Sequence, residues 1–365
     1  MDFTRTEAAQ DLSGLVGTIV TAVCTPQHQR DLDKLDQRFD ETLWRKLIDA
    51  DVLSTAAPED LGGGGFGVLE QTAILTALGR EIAAVPYLDS VVLGAGALAG
   101  FGSAELRRDW AAPAVAGDKI LTVALDGELG QGSVLATASG DGFRLTGTRT
   151  QVPFGPIADA FLVPAESDSG TMVFLVAASN PGVSVTALET TGKNSAGELE
   201  LSGVQVGADR VVGDSTALEW LTTHRAVGLT AYQLGVLERA LELTADYART
   251  REQFDRPIGS FQAVSQRLAD DYIEIKGLRL TLEQASWRLS EDLPADIEVA
   301  TAAFWAAEAG HRVAHTTVHV HGGVGIDMDH PVHRYFITAK QTEFALGGAT
   351  AALRAIGREL ADTPA

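Results

Sequence analysis

The stretch Tyr247 to Gln262, YARTREQFDRPIGSFQ, holds the densest set of chemically capable side chains. A helix that ends in Arg251, Gln253 and Phe254, turns at a Pro-Gly step and restarts would hold a guanidinium fork beside amide donors, a geometry suited to pyrophosphate. The same residues also suit an arginine-capped helix end, where the dipole favours cations. Both readings stand on the residues alone. Six of the eight histidines lie between 311 and 333, and His311, His315 and His319 recur at i, i+4, i+8 on one helical face. Imidazoles on successive turns can converge on a metal ion. No acidic or cysteine co-ligand joins them and Gly322-Gly323 follows at once, so packing or hydrogen bonding in a helix interface is expected, with no metal. Gly62, Gly64 and Gly67 satisfy G-x-G-x-x-G, but a polar turn, Pro58-Glu59-Asp60-Leu61, stands where a dinucleotide loop needs a buried strand. A flexible loop is expected there.

Three regions must position these groups. Residues 1–118 read as helical: Leu35, Phe39, Leu43 and Leu47 recur at spacings of four and predict a helix over 35–50, and another is expected from Leu69 to Ile82. Residues 119–213 are short β-branched runs such as ILTVAL, FRLTGTRT, AFLVPA, TMVFLV and VSVTAL, bounded by Gly, Pro, Asp or Asn. These predict a small antiparallel β domain, and the missing crossover helices disfavour a parallel Rossmann sheet. Residues 214–365 predict four long helices forming a bundle, with Leu234, Leu237, Leu241, Ala245 and Ala248 on one apolar face and Phe261, Val264, Leu268, Tyr272, Ile275, Leu278 and Leu282 on the next. The fold class expected is α+β: helical domain, β domain, C-terminal bundle.

Composition narrows the partners. In 365 residues, 49 Asp and Glu face 28 Lys and Arg, a net charge of −21. Nucleic acid and anionic membranes are disfavoured, because phosphate binding on that scale needs concentrated cations. A nucleotide cofactor held by a few placed arginines remains open. Cys24 is the single cysteine, which excludes an intramolecular disulfide and a CxxC site. The acidic, polar start does not read as a signal peptide, and no apolar run reaches the roughly 20 residues of a membrane span. A cytoplasmic protein is expected.

The segments RTREQFDRPIGSFQAVSQRLAD and HVHGGVGIDMDHPVHRY, in this order within a helix–β–helix layout, resemble the acyl-CoA dehydrogenase family across essentially the whole chain. The start MDFTRTEAAQDL, the stretch TAAPEDLGGGGFGVLEQ and Thr338 to Gly348 are more closely similar to beta subunits of α2β2 dehydrogenases acting on steroid side-chain CoA thioesters. The resemblance implies FAD, a homologous alpha subunit, β-oxidation of a cholesterol-derived side chain, and an electron-transfer flavoprotein or similar acceptor.

Family chemistry removes an α-proton with a glutamate while the β-hydrogen leaves as hydride to the flavin, so a carboxylate in a dry pocket is required. At the two positions where the family places it, this chain carries Ala345-Leu346-Gly347-Gly348-Ala349 and Arg225, and an arginine does not accept a proton at neutral pH. Two flavin-contact segments also depart: Leu125-Asp126-Gly127-Glu128 stands at the first and Gln151-Val152-Pro153 at the second, where Pro153 lacks a hydroxyl and an N–H. By contrast, the residues the family donates across a subunit interface to the adenine and pyrophosphate end of FAD are matched by Arg251, Gln253 and Phe254 and by His319, Gly322 and Gly323. The resemblance therefore implies no catalytic residue in this chain and a role in completing a partner's FAD site. Alternatives are a self-sufficient homotetramer using Glu343 or His224 as base, and a purely structural scaffold; for Glu343 the simpler role is a surface carboxylate balancing Lys340.

Overall fold

The computed structural model describes residues 5–127 and 132–362. The chain groups into two compact units: one from the segment ending at Pro26, Val68–Ala83 and everything from Ala226 onward, the other from Gln27–Gly67 and Ala84–Arg225. Among the described residues no single helix is long and apolar enough to cross a membrane.

The first unit is helical. Helix Glu7–Val23 starts on Thr6, whose Oγ1 accepts from the Ala9 N–H at 3.0 Å and donates to Glu70 on helix Val68–Arg80 at 2.7 Å. That second helix crosses helix Ser215–Thr250 at backbone contact: a Cβ on Gly235 would lie 2.0 Å from the Thr76 carbonyl oxygen. Only glycine permits so close a crossing. Helix Asp296–His321 is lined by small buried residues, including Ala302, Ala306, Ala307, Ala309, Gly310 and Ala314. There Gln233 donates to the carbonyls of Ala306 at 3.3 Å and Ala339 at 3.0 Å, joining three helices. Helix Gln262–Ser290 buries Ile275, Leu278 and Leu282, but Tyr272 is 56% exposed and does not face the core as its spacing predicts. The expected fourth helix is two, Val332–Ala345 and Gly348–Asp362, because Gly347 and Gly348 take φ of 79° and 73°, values that interrupt a helix.

The second unit is built on an eight-stranded sheet: β1 Leu121–Val123, β2 Val134–Ser139, β3 Gly142–Pro153, β4 Ala160–Ser167, β5 Gly170–Ala177, β6 Val183–Ala187, β7 Ala196–Gly207 and β8 Val211–Gly213. The order is β6-β7-β3-β2-β4-β5-β8, with β1 beside β4. The expectation of an antiparallel sheet is corrected at two pairs, β1–β4 and β2–β4, which run parallel. The remaining neighbours are antiparallel, and Phe161, Phe174, Leu145, Leu199 and Val204 fill the core. The helix expected over 35–50 begins only at Glu41: the Asp40 carboxylate accepts from the Leu43 N–H at 2.9 Å and caps it, and Leu35 is 51% exposed. Capping chemistry overrides the apolar spacing there. The glycines at 62–67 form a tight turn, with Gly62 capping a short 3₁₀ segment and Gly63 too close to Ala57 to admit a Cβ.

Candidate functional site

In the first unit, helix Ser215–Thr250 closes with the Arg251 N–H donating to the Tyr247 carbonyl at 2.8 Å. A two-stranded hairpin follows, β9 Glu252–Gln253 against β10 Arg256–Pro257, and its turn is Phe254-Asp255 with φ of 55° and 61°. Two positive φ values match a type I′ turn, which favours Asn and Gly and is costly for a bulky ring. Phe254 nevertheless occupies it and is 87% exposed. Its ring meets Phe261 edge-on at 6.1 Å, and the Arg256 guanidinium lies 4.1 Å over Phe261. Arg251 is exposed and makes no ion pair among the described residues, and Gln253 donates to the Glu252 carbonyl at 2.8 Å. A free guanidinium on a backbone held in a strained turn is arranged to meet something outside this unit.

The second predicted group lies at the end of helix Asp296–His321. His319 is exposed on the last turn, and Gly322 ends the helix at φ 61° and ψ −137°, a conformation restricted to glycine. A Cβ on Gly322 or Gly323 would meet nothing within 4 Å, so the turn opens onto free space. The two groups are joined by a contact that the motifs do not announce. Tyr247, four residues before Arg251, stacks on His321, one residue before Gly322, with ring centroids 4.4 Å apart. His321 is buried; its Nδ1–H donates to the Thr317 carbonyl at 2.8 Å, and burial pulls its pKa below the ordinary histidine value, so it is neutral. All six predicted residues, Arg251, Gln253, Phe254, His319, Gly322 and Gly323, are thus exposed on one unit. Tyr247 and His321 are the functional candidates that sequence reasoning passed over; the i−4 spacing of Tyr247 from Arg251 was the available signal.

In the second unit the two substituted positions meet. Arg225 donates to Asp126 at 2.6 Å. Asp89, buried on the wide helical turn Tyr87–Ala95, faces the same guanidinium; burial pushes its carboxyl up to about 6 while Arg225 opposes the rise. Pro153 offers no N–H, its carbonyl accepts from Thr122 at 2.5 Å, and the Phe154 N–H is taken by the Ser195 carbonyl at 2.9 Å. A flavin ring needs donors at N5 and O4, and this segment has none free at 153 and 154. The second unit therefore does not fit the isoalloxazine, whereas the first offers the guanidinium, amide and open glycine backbone that a pyrophosphate needs. Glu128 lies outside the described residues.

The alternative bases are occupied. Glu343 pairs with Lys340 and lies 3.4 Å from His311 Nδ1. The His224 ring stacks on Trp220 at 3.9 Å, and its Nδ1–H donates to the Trp220 carbonyl at 2.9 Å. His311 and His315 also pack, ring centroids 4.4 Å apart, with His315 edge-on to Phe336 at 5.4 Å. Among the described residues no three His, Cys, Asp or Glu side chains cluster as metal ligands.

Residues 6–118 match the family description "Acyl-CoA dehydrogenase, N-terminal domain", and residues 215–361 match "Acyl-CoA dehydrogenase, C-terminal domain". The chain is 71% identical to acyl-CoA dehydrogenase FadE27 of Mycobacterium tuberculosis over the full length of both. Among solved structures it is similar to a chain of the ChsE4-ChsE5 complex from Mycobacterium tuberculosis, with 73% identity, TM-score 0.99 and complete coverage of both chains. It is also similar to a chain of a variant of the Tcur3481-Tcur3483 steroid ACAD, with 41% identity and TM-score 0.93, over 98% of this chain and 99% of that one.

Proposed function

The chain belongs to the acyl-CoA dehydrogenase family, and from that premise we propose that it is the subunit without a base in a heteromeric, FAD-dependent dehydrogenase. It would pair with a homologous alpha subunit as α2β2 and complete that subunit's FAD site. The substrate class would be a steroid side-chain CoA thioester, desaturated between the α and β carbons. Support for the substrate class and for a heteromer comes from the two similar structures, one a two-component complex and one described as a steroid enzyme. The three domains would run 1–118, 119–213 and 214–365, in the cytoplasm.

FAD, when bound, takes up the hydride that leaves the β carbon. This chain's part is to hold it. Arg251 would pair with the pyrophosphate through two parallel N–H donors, a charge-assisted contact that fixes orientation as well as affinity. Phe254 on the rigid turn would cover an apolar face of the cofactor, and Gln253 would add an amide donor. His319 and the backbone N–H groups of Gly322 and Gly323 would meet the other side, where absent side chains permit close approach. The base and the pocket for the reacting carbons would come from the alpha subunit. Exposed Tyr272, Ile273 and Leu280 on helix Gln262–Ser290, at 56%, 64% and 61%, supply an apolar surface for subunit contact. An electron-transfer flavoprotein or similar acceptor would then reoxidise the cofactor.

The observation that carries this reading is the exposed, unpaired Arg251 beside a strained Phe254 turn, in a chain whose own flavin contact is replaced by a proline and an ion pair. Co-expression with a homologous dehydrogenase subunit tests it. Flavin content and acyl-CoA desaturation should require both chains, and Arg251→Ala should strip FAD from the complex; unchanged FAD content would favour a purely structural subunit.

A further inference from the structure

Asp126 and Arg225 depart from the family pattern at separate places in the sequence, one at a flavin-contact segment and one at a base position. In the folded chain they bond to each other at 2.6 Å, with Arg225 only 17% exposed. Two further charges complete the set. Asp89 is 8% exposed and Arg149 is 9% exposed. Arg149 donates through Nη1 to the Thr148 carbonyl at 3.3 Å and through Nη2 to the Pro164 carbonyl at 3.3 Å, while its buried Nε meets no acceptor. Burial disfavours its charge, and the carboxylates of Asp126 and Glu166 offset that penalty.

We infer that Arg225, Asp126, Asp89 and Arg149 form a self-neutralising charge cluster that takes the place of a ligand in this unit, so that the chain keeps its fold there with no flavin of its own. The four side chains come from four elements: the turn Tyr87–Ala95, the chain just after β1, strand β3, and helix Ser215–Thr250. Two cations face two anions, so the set is neutral as a whole but not in any part. Removing one member strands a buried charge, which is far costlier than removing the group together. The turn itself is tied to β1, because the Leu121 N–H donates to Ser90 Oγ at 3.0 Å, and the cluster continues that tie toward the helix.

The inference deepens the reading of this chain as a subunit without its own base, and a mutant cycle on the full chain separates the two. Arg225→Gln should lower the melting temperature by roughly 5 °C or more, since Asp89 and Asp126 lose their shared partner. Asp89→Asn with Asp126→Asn should also lower it, by stranding Arg225 and Arg149. Combining all three substitutions should restore most of the loss, to within about 2 °C of the parent. Losses that simply add would overturn the cluster while leaving the donated FAD site untouched. Should Arg225→Gln fail to fold, a folded triple variant upholds the inference and an unfolded one overturns it.

Discussion

The ring of Tyr247 lies on the ring of His321, 4.4 Å between centroids and 24° between planes, and this one stack ties the end of helix Ser215–Thr250 to the end of helix Asp296–His321. Arg251 follows the first helix and Gly322 the second, so the contact sets the spacing between the guanidinium and the open glycine turn. A neutral imidazole suits this place, because a charged one would be buried without an acceptor for Nε2. Tyr247→Ala should weaken FAD retention in the complex by about 2- to 10-fold, the range an aromatic pair contributes. Tyr247→Phe should keep it, which flavin absorbance per purified complex would report.

Arg251 should be more demanding. Charge-assisted hydrogen bonds contribute about 1.5–3 kcal/mol, so Arg251→Ala should weaken FAD binding roughly 10- to 100-fold. Arg251→Lys should fall between, since an ammonium offers charge without the fork. Equilibrium dialysis of FAD against the complex gives both values; a Lys variant equal to the parent would mean that geometry is irrelevant there.

Glu343 sits beside Lys340 and His311 and is therefore expected to be a structural carboxylate. Glu343→Gln should leave the turnover of the complex within about 2-fold, whereas loss of a true base costs roughly 10² or more. His224→Gln should behave the same way. A collapse of activity in either, with FAD content intact, would restore the self-sufficient alternative.

Asp271 gives a pH prediction. It is 3% exposed on helix Gln262–Ser290, and burial raises its carboxyl to about 7, with Glu274 and Asp270 adding to the rise and Thr316 and Arg267 opposing it. A carboxyl whose pKa is higher folded than unfolded binds its proton more tightly in the native state. Its contribution to stability is therefore full below about pH 4 and is lost as pH rises through about 7. Asp271→Asn should flatten that part of the profile and gain stability relative to the parent at about pH 8; parallel profiles in thermal melts would contradict it.

Much of this was legible in the chain. The type and order of the regions followed from apolar spacing and from β-branched runs, and the Arg251 and Gly322 groups followed from motifs with fixed order. Local chemistry spoiled the boundaries: Asp40 caps a helix that the apolar spacing starts at Leu35, and Gly347-Gly348 breaks one that the pattern carries through residues 332–360. Parallel pairing of β1 and β2 with β4 was invisible, since strand direction within a sheet leaves little trace in a short apolar run. The Tyr247–His321 stack and the Asp89–Arg225–Asp126 cluster join residues far apart in sequence, so no local pattern carries them.

The stoichiometry of flavin in the co-expressed complex is the most direct measurement. A chain that donates Arg251 and Gly322 while closing its own seat predicts one FAD for every two chains, with the isolated chain colourless. Two FAD per pair, or a yellow isolated chain that desaturates acyl-CoA, would contradict it.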